Sequence, residues 1–160
     1  MNTHHTPDPI DGADVVHRHW PLDGPYTAES LVAAADAMGE LNRYLAHATI
    51  CNPQETLPSA PGAYPLFGNL AHSTHTQGEV LQNLARWSVG LAQDPSLRHD
   101  QQRSAEASTS EHTAQVAAEA AAAELRDAAD TAGQLGRQLD RVQGLIGHLY
   151  HQELDWGLDR

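Results

Sequence analysis

Residues 114–149 read AQVAAEAAAAELRDAADTAGQLGRQLDRVQGLIGHL, and the spacing of their apolar positions decides the fold. Ala114, Ala118, Ala121, Leu125, Ala128, Ala132, Leu135, Leu139, Val142, Ile146 and Leu149 recur at alternating steps of four and three. That is the heptad period of a helix packed against other helices. Ala118, Leu125, Ala132, Leu139 and Ile146 take position a; Ala114, Ala121, Ala128, Leu135, Val142 and Leu149 take position d. Of the flanking e and g positions only Glu124 is charged. A two-stranded coiled coil places charges there, so the broad neutral stripe indicates a bundle of three or more helices.

Outward from this stretch, two further helices are expected. Thr27 reads as an N-cap, with Glu29 in the first turn and Tyr26 placed to staple onto Leu31. Leu31, Ala34, Met38, Leu41, Leu45 and Ala48 then share one face of a helix over 28–51, which Asn52-Pro53 ends. Cys51 at its end reads as a buried thiol. Pro53, Pro58, Pro61 and Pro65 make 52–66 an irregular, proline-rich connection. The capping-box pattern Thr76-Gln77-Gly78-Glu79 opens a second helix over 77–94, whose stripe is Val80, Leu84, Trp87 and Leu91, with Trp87 in the core. A second capping box, Ser108-Thr109-Ser110-Glu111, opens the third helix over 109–152.

The expected fold is therefore all-α: an antiparallel bundle of three long helices. It becomes four if the last helix breaks at Gly133 or Gly136. Residues 1–26 read as a mobile arm, 27–156 as one helical-bundle domain and 157–160 as a tail. The last helix would span about 65 Å and the first about 36 Å at 1.5 Å per residue. If it stays continuous, an apolar seam overhangs and asks for a partner.

Charge and composition narrow the function classes. The chain has 160 residues, nine arginines, no lysine and 21 acids, for a net charge of −12. The acids are dispersed and no basic cluster exists, so neither nucleic acid nor an anionic membrane has an electrostatic footprint to meet. No apolar run reaches the roughly 18 residues of a membrane span. The opening residues lack the pattern of a secretory signal, so a cytoplasmic location is expected. No cofactor motif is present; the glycines of 133–147 lack the preceding strand of a phosphate-binding loop.

Among the 11 histidines, the i,i+3 pairs His148/His151 and His72/His75 are the candidate metal ligands. On the heptad frame His148 and His151 face outward and would need ligands from elsewhere. The sequence thus supports a non-enzymatic interaction or assembly protein, self-associating or binding a partner helix. Its candidate interface is Leu135, Leu139, Val142, Ile146, Leu149 and Trp156. A helical metal-binding protein or metalloenzyme, and an acidic regulator that sequesters a basic partner, are the alternatives.

Overall fold

The computed structural model describes residues 10–51, 53–102 and 106–150. Among these residues every regular element is helical. They are α1 (Gly12–His19), α2 (Ala28–Cys51), α3 (Pro53–Thr56), α4 (Ala60–Ala92), a 3₁₀ turn (Asp100–Gln102) and α5 (Ala107–Ile146). The all-α class expected from periodicity is what the structure shows. The described chain divides into two units, one ending at Thr56 and one beginning at Leu57.

In the first unit, α1 lies where an arm without helix was expected. Asp11 caps it by accepting from the backbone N–H groups of Ala13 (2.9 Å) and Asp14 (3.3 Å). The Arg18 guanidinium bonds the Asp14 carbonyl, and the rings of His19 and Trp20 meet at 5.7 Å. Thr27 caps α2 as expected: its hydroxyl accepts from the Ser30 N–H, and the Ser30 hydroxyl accepts from the Thr27 N–H. That reciprocal pair is a capping box with serine in place of the usual Glu or Gln. Tyr26 and Leu31 both stay exposed; the Tyr26 hydroxyl instead reaches the Leu22 carbonyl. No residue of α2 is buried.

In the second unit, α4 begins 17 residues before the expected start at Gln77. Two of the prolines expected in an irregular connection lie within the helix instead. Pro61 falls in the first helical turn, where its missing N–H costs nothing, and the Ser59 hydroxyl accepts from the Gly62 N–H. Pro65 lies inside the helix and is tolerated near its start. The Thr76 hydroxyl does not cap; it donates back to the His72 carbonyl within the helix. α4 therefore spans about 50 Å, and α5 about 60 Å.

Helix α5 is continuous through Gly133 and Gly136, so the four-helix alternative does not occur. It ends at Ile146, six residues short of the expected boundary, at a C-cap formed by Gly147. Its capping box also fails. Glu106 is the N-cap and makes no side-chain bond, while Ser110 is buried and ties down the preceding loop. The Ser110 hydroxyl accepts from the His99 N–H (3.0 Å) and donates to the His99 carbonyl (3.3 Å).

The two long helices pack antiparallel. Gly147 meets Tyr64, Gly68 meets Gln143, Gly136 meets His75, and Gly78 meets Ala129 and Ala132. The buried residues on α4 are Ala63, Ala71, Thr74, Gly78, Ala85, Ser88 and Ala92. Those on α5 are Ser110, Ala114, Ala122, Ala129 and Gly136. None is larger than threonine. Small residues recur every seventh position on both helices: Ala71, Gly78, Ala85 and Ala92 face Ala122, Ala129 and Gly136. Such a seam lets the backbones approach closely, because interaxial distance follows side-chain size.

Candidate interaction surface

The close seam re-aims α5. Along its middle the buried positions are e (Ala122, Ala129, Gly136), with a (Leu125, Ala132, Leu139, Ile146) half-buried beside them; near its start Ser110 and Ala114, the latter a d position, are buried as well. The expected a and d seam is thus rotated by one position. Gly and Ala at e permit the nearest approach, so from Ala121 to Leu135 e wins the contact and d turns away from it, while Ala114 and Val142 at the two ends stay buried and half-buried.

On one side of the seam the hairpin is polar. His75 Nε2 lies 3.0 Å from Asp140 Oδ2, with both side chains substantially exposed. Gln82, Ala85, Arg86, Arg126 and Asp130 line a shallow cleft of about 380 Å³ on this same side.

The opposite side is apolar. On α4 it carries Val80 (52% exposed), Leu84 (43%) and Trp87 (61%), with Leu91 half-buried. On α5 it carries the middle d positions: Ala121 and Ala128 are exposed and Leu135 is 48% exposed. Among the α4 residues on this face and the d and g positions of α5, the only charge is Glu124. Trp87 was expected in the core; the structure puts it on the surface, because the alanines beside it take the seam.

The six residues expected at an interface are split by this arrangement. Leu135 and Leu149 are exposed. Leu139, Val142 and Ile146 are half-buried, and Leu139 and Ile146 belong to the hairpin's own seam. Trp156 lies outside the described residues. The predicted overhang is also absent: α4 runs along most of α5, and Leu97 to Asp100 pack over its first turns through Ser110 and an Arg98–Glu111 pair at 3.8 Å.

The candidate metal ligands are not brought together. His75 pairs with Asp140 across the hairpin, while His72 is exposed on another face of α4. His148 lies in the turn after α5, not on a helix, and His151 is outside the described residues. Among the described residues no three His, Cys, Asp or Glu side chains converge to hold an ion. Cys51 is exposed rather than buried, with its sulfur 3.4 Å from His47 Nε2 one helical turn away.

Sequence reasoning named Leu135 and Leu149 but missed Val80, Leu84 and Trp87 as surface residues. The available signal was the seventh-position repeat of small residues from Ala71 to Ala92, which marks the true seam. No helix among the described residues is long and apolar enough to cross a membrane. No family model, curated protein or solved structure is recognisably similar to this chain.

Proposed function

We propose that this chain is a non-enzymatic assembly protein of the cytoplasm, which binds helices through the apolar side of the α4–α5 hairpin. One observation carries the reading. Val80, Leu84, Trp87 and Leu135 stand exposed on a single face that holds one charge. An exposed apolar patch of this kind marks an interaction site, and tryptophan is among the residue types that most often anchor one.

The polar side lends no comparable support to catalysis. Its His75–Asp140 pair is open to solvent, and the cleft beside it sets two arginines against an aspartate in an ordinary surface arrangement.

The test is site-specific photo-crosslinking in cells. A photoreactive residue in place of Trp87 is expected to give defined adducts. The same residue in place of Glu79, on the polar side, is expected to give none. Equal yields from both positions, or none from either, would refute the reading.

A further inference from the structure

The cleft on the polar side holds no catalytic apparatus, but its charges are set for binding. The antiparallel register that puts Gly136 beside His75 and Gly78 beside Ala129 brings Arg86 of α4 level with Arg126 of α5. One turn away, Gln82 is level with Asp130. These four side chains line the one cleft of about 380 Å³, together with the buried Ala85. The seam of small residues holds the two helices close there, so the arginines stand across a narrow gap.

Among the described residues neither arginine forms an ion pair. Arg86 donates to the side-chain oxygen of Asn83, and the single acid of α4, Glu79, lies seven residues back. Arg126 has Asp130 one turn on, yet the two do not pair. In a chain with 21 acids and nine arginines, two arginines thus stand opposite each other with no acid against either. Like charges at one level repel, and an anion within reach of both relieves the repulsion.

The chemistry of the cleft selects among anions. A carboxylate has two oxygens and is satisfied by one guanidinium fork. A phosphate has charge and oxygens enough for two forks. Asp130 opposes a bare phosphate. It favours a ligand that brings a hydroxyl to the Gln82–Asp130 end, four residues or about 6 Å along the helices. The cleft has the volume of a small-molecule site, and the net charge of −12 repels a polyanion.

We infer that this cleft binds a small phosphate monoester, its phosphate held by Arg86 and Arg126 and a hydroxyl held by Gln82 and Asp130. The site is independent of the apolar face on the other side of the hairpin.

The experiment is NMR titration of the full chain, reading the Nε–H signals of its nine arginines. Glycerol 3-phosphate, inorganic phosphate and acetate are the probes, at matched ionic strength. Glycerol 3-phosphate is expected to shift the Arg86 and Arg126 signals saturably, inorganic phosphate to do so more weakly, and acetate not at all. Arg86→Gln and Arg126→Gln, both at exposed positions, are each expected to weaken binding at least about tenfold, with circular dichroism unchanged. Asp130→Asn is expected to tighten inorganic phosphate and to narrow the difference between the two phosphates. Arg141→Gln, outside the cleft, is expected to change neither. No saturable shift, shifts spread over all the arginines, or binding that survives both arginine variants overturns the site. Acetate acting as strongly as phosphate overturns the choice of anion. Inorganic phosphate binding as tightly as glycerol 3-phosphate overturns the ester and leaves free phosphate as the ligand.

Discussion

Ala122 has no exposed surface, and Ala85 has almost none. At such positions a methyl group is the size the seam admits. Ala122→Leu is expected to lower stability by about 1–3 kcal/mol, as overpacking forces the helices apart; urea unfolding followed by circular dichroism measures it. Glycines divide by the same criterion. A Cβ on Gly136 would meet the His75 ring at 2.5–2.8 Å, whereas one on Gly144 would meet nothing within 4 Å. Gly144→Ala is therefore expected to stabilise the protein, by up to about 1 kcal/mol of helix propensity, seen as a Tm a few degrees higher. A lower Tm would show that the open space at Gly144 is filled in solution. None of this sorting was legible in the sequence, since Gly133, Gly136 and Gly144 look alike until the partner helix is placed.

At the scale of elements, the period was legible and the ends were not. The heptads of α5 and the stripe of α2 are sequence properties, and both helices exist. Boundaries depend on which of several competing hydrogen bonds forms. Thr27 could serve as the cap it resembled, because it stands outside any helix. Thr76 could not, because α4 was already under way and offered it the His72 carbonyl. Ser108 could not either, because α5 starts at Ala107 and already contains it. Two termini carry a pH dependence. Backbone hydrogen bonding at the α2 N-terminus, aided by the Thr27 hydroxyl, holds the Glu29 carboxyl below its ordinary value. The Ser96 hydroxyl and N–H do the same for Asp94 in the turn after α4. A carboxylate with a lowered folded-state pKa stabilises the fold above its unfolded value, about 4.3 for Glu and 3.9 for Asp. That contribution is lost as pH falls through the folded value. Acidification below about pH 4 is thus expected to loosen the start of α2 and the 93–99 turn before the alanine seam. Amide exchange would detect this as early loss of protection at Ser30 and Ser96; simultaneous loss along the seam would contradict it.

For the whole molecule, the seam that holds the hairpin determines what is left for others to bind. Packing on e and a leaves Ala121, Ala128 and Leu135 outward on α5, and packing on the alanines of α4 leaves Val80, Leu84 and Trp87 outward beside them. The sequence supplied the apolar stripe but not its orientation, because a heptad of alanines satisfies a, d and e equally. The same geometry changes which substitutions report on assembly. Leu139 and Ile146 support the hairpin itself, so aspartate there is expected to cost helicity as well as association, by several kcal/mol; Leu84→Asp should spare the fold. Because the chain carries −12, any association between copies is expected to tighten as salt weakens their repulsion. Weaker association at high salt would indicate a contact made by ion pairs instead.

The environment of Trp87 tests the central claim most directly. In a chain carrying Trp20→Phe and Trp156→Phe, acrylamide quenching reports on Trp87 alone. The account predicts an indole that is accessible in the dilute chain and in Leu84→Asp. An indole shielded at every concentration would contradict it.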